Sequence, residues 1–122
     1  MSENILQKII DQKKTKIEKL KLEIDINRLL HIISEKDVFF DFKKKIQTKN
    51  SENKISIIAE IKKASPSAGI LIDDYDPVKI ANIYNSKNVT CLSVLTEEDF
   101  FLGNLSHISE IKKKIELPIL CK

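Results

Sequence analysis

The sequence predicts an α/β domain built on parallel strands and preceded by a helical segment. Three observations lead there. Residues 55–61, 90–95 and 118–121 are short apolar runs of strand length, the first of them dense in β-branched side chains. The stretches between them carry helix signals, a cap in one and an apolar stripe in the other. The leading residues repeat their apolar side chains at helical spacing. Strands that alternate with helices of this length pair in parallel through right-handed crossovers.

Residues 4–24 read as an amphipathic helix, with Ile5, Leu6, Ile9, Ile10, Ile17, Leu20 and Ile24 mostly at steps of three, four or seven. Lysines take the other face, and Lys13 interrupts the stripe. A second helix is predicted over 27–35 and a shorter one over 39–46. The polar stretch 47–53 reads as a linker, which divides the chain into a helical extension, 1–53, and a βαβαβ portion, 54–122. The first strand is residues 55–61. Asp76-Pro77 then opens a helix to about Ser86, because Asp caps well and Pro suits the first helical position. The second strand is 90–95. A helix over 104–115 sets Leu105, Ile108, Ile111 and Ile115 on one stripe. Pro118 begins the third strand, where Pro is tolerated. The sequence stops inside that strand, and three parallel strands leave an open edge. The front portion of something larger is expected, poorly soluble and inactive by itself.

The 42% hydrophobic content is too high for a disordered tail, and no run approaches the roughly 18 apolar residues of a membrane helix. Met1-Ser2-Glu3-Asn4 lacks a basic leader, so a cytoplasmic chain is expected. The net charge of +3 is uneven: residues 1–50 hold 12 basic and 8 acidic side chains, residues 51–122 hold 9 and 10. Acidic residues interleave with the front lysines and aromatics are scarce there, so a solvated helical face is the preferred reading over nucleic-acid binding. The competing reading is a small basic interaction module that holds an acidic partner or nucleic acid, with a salt-steep affinity. Cys91 and Cys121 lie in apolar runs and are expected to be free thiols. His31 and His107 show no ligand spacing with them, so no metal site is expected.

Strand parity singles out Glu60 and Lys62, two residues apart and therefore on one face. Charges at the C-terminal end of an apolar strand are costly unless paired or exposed, and in parallel α/β sheets ligands bind at that end. A functional pair and an ion pair surfacing into solvent are equally compatible with parity. Lys122 shares a face with Leu120, at the corresponding end of the third strand. Ser65-Pro66-Ser67-Ala68-Gly69 after the first strand suits either an anion or an ordinary turn. GxGxxG, P-loop and GxSxG motifs are all absent from the sequence, which removes support for nucleotide binding and serine hydrolysis.

Ile58-Ala59-Glu60-Ile61-Lys62-Lys63-Ala64-Ser65-Pro66-Ser67-Ala68-Gly69 resembles the first barrel strand and loop of indole-3-glycerol-phosphate synthases. Asp74-Tyr75-Asp76-Pro77, Ile80-Ala81-Asn82-Ile83-Tyr84, Ser93-Val94-Leu95-Thr96-Glu97, Phe100-Phe101-Leu102-Gly103 and Leu117-Pro118-Ile119-Leu120-Cys121-Lys122 follow in that family's order. The resemblance is strong over 55–122, and the leading helices match the family's N-terminal extension in kind. It implies the first three strands of a (β/α)₈ TIM barrel, since a complete barrel takes about 250 residues. The implied activity closes the indole ring of 1-(2-carboxyphenylamino)-1-deoxyribulose 5-phosphate with loss of CO₂ and water in tryptophan biosynthesis. No cofactor or metal is implied. By analogy Lys122 is the general acid. Glu60 holds a substrate hydroxyl and is expected to keep that lysine protonated. Lys62 contacts the anionic groups of the substrate, Ser65 lies near its carboxylate, and Phe101 walls the anthranilate pocket. Ser93 faces inward on the second strand. Ala68 stands where relatives usually have Lys. The family's second acid/base, a later Asn and its phosphate cradle all lie beyond Lys122, so part of the site is missing here. The wording near Lys62 and Cys121 resembles the enterobacterial type, often fused to a C-terminal phosphoribosylanthranilate isomerase domain. A monomer that binds a phosphorylated small molecule, and neither nucleic acid nor membrane, is expected.

Overall fold

The computed structural model describes residues 4–122, which fall into two compact units that meet in sequence between Phe39 and Phe40. The first unit holds α1 (Ile5–Glu23) and α2 (Ile26–Ser34). Each begins on a side-chain cap: Asn4 accepts from the Leu6 N–H at 3.1 Å, and Asp25 from the Arg28 N–H at 2.9 Å. Extended backbone at Ile24 and Asp25 separates them.

The second unit opens with α3 (Phe42–Ser51), capped by Asp41 through the Lys44 N–H. The expected linker over 47–53 is therefore mostly helix. Its polarity misleads, because Gln47 and Lys49 are good helix formers and neither Gly nor Pro interrupts them. The chain leaves the helix at Asn53, whose φ of 55° is left-handed.

The core is a three-stranded parallel sheet in the order β1 (Ile58–Ile61), β4 (Cys91–Val94), β5 (Ile119–Cys121). Helix α4 (Pro77–Ser86) links the first pair and α5 (Ser106–Lys112) the second. Ala59 pairs with Leu92 and Leu92 with Ile119; Ile61 pairs with Val94 and Val94 with Cys121. That face, with Ala81 of α4 and Ile111 of α5, forms the core, where Ile61, Leu92, Val94 and Ile111 are fully buried. Asp76 caps α4 as expected, accepting from the Lys79 N–H at 3.0 Å, with Pro77 in the first turn.

Two boundaries differ from expectation, and one element is unexpected. The first strand starts at Ile58, and Ile55 and Ile57 remain exposed. Ile57 instead anchors the chain entering β1: its N–H donates to Thr90 Oγ1 at 2.9 Å and its carbonyl accepts from the Thr90 N–H. Helix α5 is seven residues long, and Leu105 is exposed while Ile111 and Ile115 are buried. A short antiparallel hairpin, β2 (Ala64–Ser65) with β3 (Gly69–Ile70), was not legible, since two-residue strands carry no alternation. Its turn uses Gly69 at φ 68°.

Candidate active site

The opposite face of the sheet carries Ile58, Glu60, Cys91, Ser93 and Leu120, since Ile58 pairs with Cys91, Glu60 with Ser93 and Ser93 with Leu120. Alternation adds Lys62 and Lys122 at its C-terminal end. Toward the N-terminal end, α3 approaches this face: Cys91 Sγ lies 3.9 Å from the Phe42 carbonyl. Burial pushes the Cys91 thiol pKa up.

Glu60 joins the two ammonium groups. Lys122 Nζ donates to Glu60 Oε2 at 2.9 Å, and Lys62 Nζ lies 3.3 Å from Oε1. The sequence separation of 62 residues between Glu60 and Lys122 is closed by the β1–β4–β5 register alone. The backbone beneath the cluster is fixed at several points. The Tyr84 hydroxyl donates to the Glu60 carbonyl at 3.1 Å, bracing β1 from α4. The Lys122 N–H donates to Val94 O at 3.0 Å, and the Lys122 carbonyl accepts from the Thr96 N–H at 2.7 Å and from Thr96 Oγ1 at 3.0 Å.

The hydrogen bond from Lys122 holds the Glu60 carboxyl below the ordinary carboxylate range; partial burial opposes it, and Lys62 adds to the lowering. Glu60 is thus an anion at neutral pH, flanked by two amine side chains. The Glu60 and Lys62 side chains keep about a third of their surface exposed and Lys122 more than half. Pairs this open contribute only about 0–1 kcal/mol to folding. Stability gives little reason for three charges to converge here, whereas a negative, oxygen-rich ligand gives a good one.

The other candidate residues are near the same end but not joined to the cluster. Ser93 lies between Glu60 and Leu120 in the register, 4% exposed, its hydroxyl without a hydrogen-bond partner among the described residues. Ser65 is occupied with the hairpin turn, 3.4 Å from Ser67 Oγ and accepting from the Ala68 N–H at 3.2 Å. Phe101, partly buried, sits on the loop after β4. Neither Ser65 nor Phe101 forms a hydrogen bond or ion pair with the cluster among the described residues. Among those residues, no group of three or more His, Cys, Asp or Glu is disposed to hold a metal ion.

Two residues stand out only in the folded chain. Thr96 clamps the Lys122 carbonyl, and Glu97 gathers three backbone N–H groups of its own loop. Both belong to the Ser93–Glu97 motif, but only the register and the loop conformation give them partners. Neither periodicity nor composition marks them.

The family model for indole-3-glycerol phosphate synthase matches residues 6–122. A protein named indole-3-glycerol phosphate synthase from Desulforamulus reducens is 42% identical over 118 residues, which is 97% of this chain and 43% of that relative. Proteins of the same name from Microcystis aeruginosa and Alkaliphilus metalliredigens are 37% and 41% identical, covering 98% and 97% of this chain and 40% and 44% of those relatives. The chain therefore spans about two fifths of the length of the curated relatives it matches. The match includes the leading helices as well as the sheet that carries Glu60 and Lys122, and the chain belongs to the indole-3-glycerol phosphate synthase family.

Proposed function

We propose that the full-length protein bearing this sequence closes the indole ring of 1-(2-carboxyphenylamino)-1-deoxyribulose 5-phosphate, releasing CO₂ and water. The observation that carries this reading is the bridging of Lys122 and Lys62 by Glu60 at the C-terminal end of a parallel sheet. In the proposed step an aromatic ring carbon attacks the substrate's ketone carbon, and negative charge grows on the ketone oxygen. A proton delivered to that oxygen lowers the barrier. Lys122 supplies it as the general acid, and Glu60 holds its Nζ at 2.9 Å while accepting from a substrate hydroxyl. Lys62, a compact point charge, receives the anionic groups of the substrate. Ser93, with its unpartnered hydroxyl, and Ser65 bind polar substrate atoms, and Phe101 walls the aromatic ring.

The same reading takes β1, β4 and β5 as the first three strands of a (β/α)₈ barrel. Residues 1–53 serve as its helical extension and 54–122 as its βαβαβ opening, with the rest of the site supplied by later strands. A monomeric cytoplasmic enzyme goes with it. No helix of the described residues is long and apolar enough to cross a membrane.

The test is ring closure by a full-length synthase carrying this sequence, with and without Lys122→Ala. Loss of general acid catalysis is expected to lower kcat about 10²-fold or more while the fold is retained. Near-wild-type turnover would remove Lys122 from the acid role.

A further inference from the structure

We propose that Glu97 is a positioning residue that sets the aromatic wall of the site by holding the loop that carries Phe101. The inference rests on the functional reading above and adds to it a residue with no assigned role. Glu97 follows β4 by three positions, and its carboxylate turns back into its own loop. Oε1 accepts from the Asp99 N–H at 3.0 Å, and Oε2 accepts from the N–H groups of Phe100 at 2.7 Å and Phe101 at 3.1 Å. Three N–H groups of consecutive residues aimed at one anion are charge-assisted hydrogen bonds, shorter and stronger than neutral ones. They fix the peptide planes on both sides of Phe100 and so the direction in which the Phe101 side chain leaves the loop.

The remainder of the loop is equally constrained. Leu102 takes a left-handed φ of 53°, an uncommon state for a non-glycine residue. The Gly103 N–H then donates to the Glu97 carbonyl at 2.8 Å, closing the loop on the residue that opens it. Glu97 thus ties its loop at both ends, through its side chain to residues 99–101 and through its carbonyl to Gly103. β4 pairs with β1 and β5, the strands that bring Glu60 and Lys122 together, so the loop emerges at the same end of the sheet as the charged cluster.

The test measures kcat and KM for ring closure in a full-length synthase carrying this sequence, with Glu97→Ala, Glu97→Gln, Phe101→Ala and the double variant Glu97→Ala/Phe101→Ala. Because Glu97 acts on a binding wall and not on the reacting atoms, Glu97→Ala is expected to raise KM about 10-fold with a much smaller change in kcat. Glu97→Gln keeps one carbonyl acceptor for the Phe100 and Phe101 N–H groups and is expected to recover most of that loss. In the Phe101→Ala background, Glu97→Ala should raise KM no further. Should Glu97→Ala fail to fold, Glu97→Leu, which fills similar space without either acceptor oxygen, and its combination with Phe101→Ala decide the matter by the same comparison. A folded Glu97→Ala or Glu97→Leu variant with wild-type KM, or effects of the two sites that simply multiply, would overturn the inference alone. A wild-type protein that does not close the ring overturns the functional reading and the inference with it.

Discussion

Gly103→Ala is predicted to loosen the loop after β4 at a cost that the geometry bounds. A Cβ on Gly103 would meet the Leu95 carbonyl oxygen at 2.2 Å, the Leu95 carbonyl carbon at 2.7 Å and Thr96 Cα at 2.9 Å. All three are backbone atoms, so no side chain can swing away. The strand cannot yield either. The Leu95 N–H is bonded to Ile61 O at 3.1 Å on one side, and the Thr96 N–H to Lys122 O at 2.7 Å on the other. The loop must retreat by about 1.2 Å to reach ordinary contact at 3.4 Å, which pulls the Gly103 N–H from the Glu97 carbonyl. Overpacking of this kind costs about 1–3 kcal/mol. A displacement near 1 Å at a positioning loop lowers catalytic efficiency by up to about 10²-fold. Urea unfolding of the full-length synthase should show a lower midpoint at unchanged m, and steady-state kinetics a reduced kcat/KM. A variant within about 0.5 kcal/mol of wild type with unaltered kinetics would refute the steric argument.

Two further predictions concern the cluster and the core. Glu60 has a folded-state pKa below its ordinary value of 4.5, so the stability it contributes is present above that pH and is lost as pH falls through the lower folded value. Glu60→Gln should abolish this acid-side loss, an effect of under about 1 kcal/mol given the partial exposure of the pair, and unfolding curves between pH 6 and the acid limit, at about pH 3, would reveal it; an unchanged pH dependence would contradict the ion-pair assignment. Ile111, fully buried where α5 meets the sheet, should cost about 2–5 kcal/mol on change to Ala, read as a fall in the urea midpoint. A loss below about 1 kcal/mol would mean that α5 is not packed as described.

The parts of the fold that were legible in the sequence are those written in repeating chemistry. Asp76-Pro77 announces α4 by capping and by a fixed φ, and both act where expected. The apolar runs around Ala59–Ile61 and Cys91–Val94 announce strands, and the parity of Glu60, Lys62 and Lys122 sets them on one face. What parity could not supply is proximity: the contact between Glu60 and Lys122 depends on which strands are neighbours and in what register. The family resemblance anticipated it where spacing could not. The missed features are local and aperiodic. The Ala64–Ile70 hairpin is too short to alternate, and α3 extends through polar residues because helix propensity there meets no breaker. Glu97 is invisible in advance because its partners are backbone N–H groups, which every sequence has; only the folded course of the loop after β4 brings three of them to one carboxylate.

The central claim is that Glu60 and Lys122 act as one acid unit, joined across the sheet by the 2.9 Å contact. A double-mutant cycle on kcat for ring closure tests it most directly, with Glu60→Gln, Lys122→Ala and the combined variant in the full-length synthase. Residues that act as a unit are grossly non-additive, so each single change should cost about 10²-fold or more and the combination little beyond Lys122→Ala alone. Independent, multiplying losses, or a single variant that turns over like wild type, would contradict it.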